Sequence, residues 1–93
     1  AFNDINPQAE IHVLVIPKKD YISMDDFSSN ASSEEINSFF RTVGEVARIL
    51  GMDTTGYRII ANHGPDSHQE VPHFHIHILG GNSLGPLLVK RGK

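Results

Sequence analysis

The chain has 93 residues, of which 39% are apolar and 20% are charged, and its formal net charge is −3. This length predicts a single small globular domain, and the charge balance gives no basic surface for nucleic acid. The absence of cysteine excludes disulfides and zinc–thiolate sites and fits a reducing compartment, so we expect a cytoplasmic protein. No apolar run reaches the roughly 18 residues of a membrane span, and we expect no membrane association.

The first third of the chain predicts two strands and a surface connection. Residues 1–5 alternate apolar and polar side chains, as a short strand does. Residues 11–16 are rich in β-branched side chains and end at Pro17, which predicts a central strand. His12 is the single polar residue of that strand, and alone it fits a hydrogen-bonded core residue as well as a site residue. Residues 18–30 are polar and are predicted to be a surface connection.

One main helix is predicted in the middle of the chain. Ser32 and Glu35 have the spacing of a capping box, which marks the start of a helix. Apolar residues follow at intervals of three and four as far as Leu50, so they share one face. Gly51 can end the helix in a left-handed conformation. We interpret this helix as scaffold.

The last third predicts a hairpin with a long connection. Residues 57–62 and 73–79 are predicted strands, and the polar turn residues between them form a loop. If the two strands pair antiparallel, Asn62 lies at the loop end, close to the first histidine of the second strand. The loop would then lie over the face that carries the histidines.

The most informative feature of the sequence is a run of three histidines, each two residues from the next. Because a strand turns successive side chains to opposite faces, the imidazoles should share one face, while Phe74, Ile76 and Ile78 enter the core. Burying three imidazoles side by side would stabilise a core little. The pattern therefore favours a functional site.

Two chemistries remain open from spacing alone. A His-x-His pair on a strand can chelate zinc, with His77 or His12 as a third ligand. Zinc sites usually include a carboxylate or cysteine as well, together with hydrogen-bond acceptors for the ligating histidines. The run itself contains no acidic residue. The alternative is that one imidazole attacks phosphorus while its other nitrogen donates to an acceptor that sets the tautomer.

The run His73-Phe74-His75-Ile76-His77-Ile78-Leu79 resembles the His-φ-His-φ-His-φ-φ signature of the histidine triad (HIT) superfamily, where φ is apolar. Gly80-Gly81 and residues 2–9 and 15–19 are similar to the Hint branch, the purine nucleoside phosphoramidases, rather than to the Fhit-like dinucleoside polyphosphate hydrolases. The resemblance implies one α+β HIT domain over residues 1–93. It implies an antiparallel sheet of about five strands with one main helix, and a homodimer with a ten-stranded sheet. We expect the helix and strand that open other members to be missing.

The resemblance also implies catalytic roles that need neither a metal nor another cofactor. His75 would attack the α-phosphorus of a purine nucleoside phosphoramidate or an aminoacyl adenylate and form a nucleotidyl-histidine, which water hydrolyses. His73 would orient the nucleophile through its backbone carbonyl. His77 and His12 would flank the site, with His77 near the phosphate.

The same resemblance implies a set of residues that bind the purine nucleotide. Asp4 would hold the ribose hydroxyls, and Phe2 and Ile5 would form part of the wall around the base. Asn62 would donate its amide to a phosphoryl oxygen.

The loop before the triad is where this sequence departs from its relatives. Gln69 and the backbone to Val71 would cover the phosphate, but several relatives carry serine where Glu70 stands. A carboxylate is repelled by phosphate, so either the Glu70 backbone N–H makes the contact or the side chain serves the leaving amine. His63 and His68 are predicted to be surface residues.

Two alternative functions stay open. The chain could be a purine nucleotide-binding or interaction protein without turnover, or a dinucleoside polyphosphate hydrolase of the Fhit type.

Overall fold

The computed structural model describes residues 1–5, 7–69 and 71–87. Their elements, in chain order, are β1 (Phe2–Asn3), β2 (Ile11–Val15), α1 (Met24–Asn30), α2 (Ser33–Ile49), α3 (Met52–Thr55), β3 (Tyr57–Ile60), a 3₁₀ turn (Pro65–Ser67) and β4 (Ile76–Gly80). The strands form one antiparallel sheet in the order β1-β2-β4-β3. The predicted α+β class is confirmed. Within the described ranges the sheet has four strands, where about five were expected.

Ile78 lies at the centre of the sheet and joins it to the core. It pairs with Val13 of β2 on one side and with Ile59 of β3 on the other. The side chain of Ile78 is fully buried, together with those of Phe74 and Ile76. The predicted alternation of core and site side chains is therefore confirmed. The hydrogen-bonded strand β4 begins only at Ile76, so His73 and His75 lie in the segment ahead of it.

The main helix α2 has the predicted boundaries. Ser32 Oγ accepts the Glu35 N–H at 3.1 Å, and the Glu35 carboxylate accepts the Ser32 N–H at 2.9 Å, which completes the capping box. At the other end Gly51 has a φ of 76°, a conformation that glycine adopts without steric cost. Both ends of the helix are set by local chemistry.

The prediction of a surface connection over residues 18–30 was wrong in part, because helix α1 lies there. Ser23 caps this helix by accepting the Asp26 N–H. Phe27 is its one buried residue and stacks on Phe74, with ring centroids 4.8 Å apart. A seven-residue helix with one buried position has no apolar periodicity to read. Met24, the first residue of this helix, is exposed.

Short helix α3 was also missed, and it packs against the end of β4. A Cβ added to Gly80 would lie 2.6 Å from Met52 Sδ, so glycine permits this close approach. Met52 itself is almost fully buried. No helix among the described residues is both long enough and apolar enough to cross a membrane.

Candidate active site

A cavity of about 660 Å³ opens beside the histidine face of the sheet. His73, His75 and His77 all line it, as predicted. The residues expected to bind the nucleotide that also line it are Phe2, Asp4, Ile5, Asn62, Gln69 and Val71. The tertiary structure thus brings residues from both ends of the chain to one cavity.

The hydrogen bond of His75 determines which of its nitrogens can react. Nδ1 of His75 lies 2.7 Å from the carbonyl oxygen of His73. Since a carbonyl can only accept, Nδ1 carries the proton and Nε2 keeps its lone pair. The neutral ring therefore offers a nucleophile at Nε2. The contact is through the backbone of His73, as the resemblance implied.

A second hydrogen-bonded chain determines the tautomers of His12 and His77. The Gln8 N–H donates to Nδ1 of His12 at 3.0 Å, so this nitrogen is the acceptor of a neutral ring. Nε2 of His12 is then the protonated nitrogen and donates to Nδ1 of His77, 2.8 Å away. The proton of His77 consequently sits on Nε2. His12 is buried beneath the cavity wall and acts on His77 rather than lining the cavity.

Asp4 lies against this imidazole pair. Its Oδ2 is 3.4 Å from Nε2 of His12 and 3.9 Å from Nδ1 of His77. Its backbone N–H donates to the His12 carbonyl at 2.9 Å, which continues the pairing of β1 with β2. Burial lowers the pKa of His77, as do the neighbouring imidazoles of His75 and His12, and the Asp4 carboxylate opposes the shift only in part.

Asp4, His12 and His77 are close enough together to be considered as metal ligands, with candidate atoms within 4.8 Å of one another. The hydrogen bonds argue against that use. Nε2 of His12 is protonated because Nδ1 accepts from Gln8, so it has no lone pair for a cation. Two nitrogens bound to one zinc at about 2.0–2.1 Å in tetrahedral geometry would also stand farther apart than the 2.8 Å seen here. The trio is a hydrogen-bonded pair of imidazoles with a carboxylate beside it.

The loop between β3 and β4 forms one rim of the cavity. The β3–β4 pairing ends with Ile60 opposite His77, and Asn62, two residues beyond that pair, lines the same cavity as His73 and His75. Gln69 lies at the rim, but its amide bonds to the protein's own backbone. Glu70 lies outside the described residues, and its role stays a prediction.

Five residues that the sequence analysis did not assign to the site also line the cavity: Asn3, Leu14, Ile16, Ser67 and His68. His68, expected to be an ordinary surface residue, is exposed but lines the cavity, and its φ of 60° is left-handed. Leu14 and Ile16 contribute apolar wall. Leu14 and Ile16 follow His12 by two and four residues, and this spacing is the signal that could have placed them on the same face.

These features define an α+β protein whose cavity is lined by three histidines, one of them oriented by a neighbouring backbone carbonyl. The chain belongs to the HIT family, since the HIT domain model matches residues 1–84. A purine nucleoside phosphoramidase of Escherichia coli is 37% identical over 92 residues, covering 99% of this chain and 76% of that protein. An uncharacterized 13.2 kDa HIT-like protein of Azospirillum brasilense is 58% identical over 90 residues, covering 97% and 74%.

Solved structures agree with this assignment. A HIT family hydrolase from Legionella pneumophila superposes with a TM-score of 0.82 at 36% identity, covering 90% of this chain and 74% of that one. A histidine triad protein from Clostridium difficile gives a TM-score of 0.80 at 40% identity, covering 94% and 75%. The HIT-like fold is therefore confirmed, and the relatives support hydrolase activity in general.

Proposed function

We propose that this protein hydrolyses conjugates of nucleoside 5′-monophosphates, in particular purine nucleoside phosphoramidates and aminoacyl adenylates, through a nucleotidyl-histidine. The observation that carries the proposal is the 2.7 Å hydrogen bond from His75 Nδ1 to the His73 carbonyl. It leaves Nε2 unprotonated on a ring that lines the cavity. No metal or other cofactor enters the proposed reaction.

The reaction has two steps. Nε2 of His75 attacks the α-phosphorus, a nitrogen–phosphorus bond forms, and the bond from phosphorus to the leaving amine or carboxylate breaks. A leaving amine takes up a proton as it departs. Water then attacks the same phosphorus and displaces Nε2 of His75. The nucleotide leaves with an oxygen atom from water, and the imidazole is restored. Asn62 and the Nε2–H of His77 would stabilise negative charge on the phosphoryl oxygens.

The cavity suits a nucleotide in size and lining. Its volume of about 660 Å³ falls within the range of about 300–1,000 Å³ of small-molecule sites. Phe2 and Ile5 are exposed apolar residues on its wall, and a purine base would cover them. We propose that Asp4 binds the ribose hydroxyls and that the loop backbone as far as Val71 covers the phosphate.

The proposal is tested by replacing the nucleophile. We expect His75→Ala to lower the turnover of an adenosine phosphoramidate by at least about a thousandfold, because no other group forms the covalent intermediate. AMP binding should be largely retained. Mass spectrometry of the parent, quenched early at low pH, should find a nucleotidyl group on the peptide that contains His75.

A matched control is His63→Ala, which removes an exposed histidine outside the cavity lining and should keep parental turnover. Parental turnover by His75→Ala would contradict the proposed nucleophile. AMP binding by the parent without turnover or adduct would instead favour a nucleotide-binding protein. A strong preference for dinucleoside polyphosphates would favour the Fhit type.

We further propose that the protein acts as a homodimer in the cytoplasm. Strand β3 is an edge of the described sheet and carries exposed apolar side chains at Tyr57, Ile59 and Ile60. An apolar edge strand with unpaired backbone groups can pair with a second copy. Antiparallel pairing of two such edges would join the sheets into one.

A further inference from the structure

The side chain of Gln69 connects three separate points of the backbone. Its Oε1 accepts the Gly64 N–H at 2.9 Å. Its Nε2 donates to the Ile22 carbonyl at 2.8 Å and to the Val71 carbonyl at 3.1 Å. One amide therefore joins both ends of the β3–β4 loop to the segment before helix α1.

The chemistry of the three partners determines the orientation of this amide. Two of them are carbonyls, which only accept, and the third is an N–H, which only donates. A flipped amide would place its oxygen against both carbonyls. Both hydrogens of Nε2 are thus used by Ile22 and Val71. Although Gln69 lies at the cavity rim, its amide has no donor left for a phosphate.

The partners of Gln69 lead directly to the nucleophile. The Val71 carbonyl that accepts from Gln69 also accepts the His73 N–H at 2.8 Å. The His73 carbonyl in turn orients His75. Three successive contacts therefore connect the amide to the reacting imidazole.

The segment held by Gln69 is itself anchored to the core. The residue before Ile22 is Tyr21, whose carbonyl accepts the Phe74 N–H at 2.6 Å. The Tyr21 hydroxyl donates to Glu35 in the first turn of helix α2 at 2.8 Å. Gln69 and Phe74 are thus hydrogen-bonded to neighbouring residues of one anchored segment, which sets the path of the chain into the triad.

We propose that Gln69 is a positioning residue for the reaction, holding residues 71–75 and the loop so that Nε2 of His75 is aligned with phosphorus. This inference rests on the proposed function. Loss of the amide should lower kcat more than it raises KM, because the residue orients the nucleophile and does not contact substrate. A misplacement of about 1 Å can cost about a hundredfold in rate.

Two substitutions separate orientation from packing. Gln69→Met keeps the length of the side chain and removes all three hydrogen bonds, and we expect kcat to fall about ten- to a hundredfold. Gln69→Glu keeps an acceptor for the Gly64 N–H but sets an ionised oxygen against two carbonyls. Protonation of that carboxyl restores one donor. The activity of Gln69→Glu relative to the parent should therefore rise as the pH falls, and that of Gln69→Met should not.

A control variant and a second measurement keep the test independent of stability. Asn82 accepts the Glu10 N–H at 2.7 Å at the opposite end of the sheet, so Asn82→Ala removes a comparable side chain–backbone bond. Its kcat should stay parental even if its Tm falls. Amide exchange at Gly64, followed by NMR, should become faster in Gln69→Met because this N–H loses its acceptor.

Parental kcat in both Gln69 variants would overturn the positioning role, as would a fall in kcat of equal size in Asn82→Ala. A relative activity of Gln69→Glu that does not respond to pH would also contradict it. Absence of turnover in the parent is a different result, since it would remove the proposed function. The Gly64 exchange measurement would then still test whether Gln69 holds the loop.

Discussion

At the residue scale, the three histidines of the triad are chemically different although the sequence presents them as equivalent. The His73 carbonyl accepts from Nδ1 of His75, Nε2 of the neutral His75 ring is therefore unprotonated, and His77 is hydrogen-bonded to His12. Each difference arises from a hydrogen bond to a backbone group or to a ring distant in sequence. The spacing of the histidines contains no information about these partners.

The lowered pKa of His77 predicts a dependence of stability on pH. Because the folded protein favours the neutral ring, the unfolded chain binds more protons below the ordinary histidine value of 6.5. The free energy of unfolding should be insensitive to this group at higher pH and should decrease as the pH falls below about 6.5. Urea unfolding at about pH 7.5 and about pH 5.5 measures the decrease.

His77→Asn removes the titrating ring and should show a smaller decrease than the parent over the same pH interval. His63→Asn removes a histidine that stays exposed in the folded chain, and it should retain the parental decrease. An identical decrease in all three proteins would contradict the assignment to His77.

At the element scale, helix ends could be predicted and short helices could not. The capping box at Ser32 is a local pattern, and the structure reproduces both of its hydrogen bonds. Helix α1 has a local cap at Ser23, but its one buried residue, Phe27, packs against Phe74, 47 positions further along the chain, and no local pattern encodes that contact. The left-handed backbone of His68 was also not predicted, since residues with a Cβ seldom adopt it.

The capping box predicts how far the free energy of unfolding should fall when its serine is replaced. Ser32→Ala removes the oxygen that accepts the Glu35 N–H and should lower the free energy of unfolding by about 1 kcal/mol. Chemical denaturation measures the change. Ser38→Ala, at an exposed position inside the same helix, should be neutral or slightly stabilising because alanine favours helix. If Ser32→Ala and Ser38→Ala lowered the free energy of unfolding equally, the cap would contribute no stability of its own.

At the scale of the whole molecule, one edge of the sheet carries apolar side chains without a partner in the described residues. Ile59 is 46% exposed, although Ile78, its partner in the pairing of β3 with β4, is buried. A second copy across β3 would cover it. The edge strand is therefore the surface on which the proposed dimer depends.

A charge on this edge should separate the protomers. We expect Ile59→Lys to sediment as a monomer at concentrations where the parent sediments as a dimer, because a lysine would be desolvated opposite its own copy. Ser28→Lys, on the exposed side of helix α1, should leave the parental mass unchanged. A dimeric Ile59→Lys would exclude this edge as the interface.

The sequence by itself determined the main helix and the alternation that sends Phe74 and Ile78 inward, since these depend on local periodicity, and its histidine run carried the resemblance to the family. Only the tertiary structure decided how the site is assembled. It placed Asp4 and His12 beside His77, bonded the Gln69 amide to the Ile22 carbonyl, and put the proton of the neutral His75 ring on Nδ1. These outcomes depend on hydrogen bonds and charge contacts between residues that are far apart in the sequence. A local sequence pattern does not specify which of those residues come into contact.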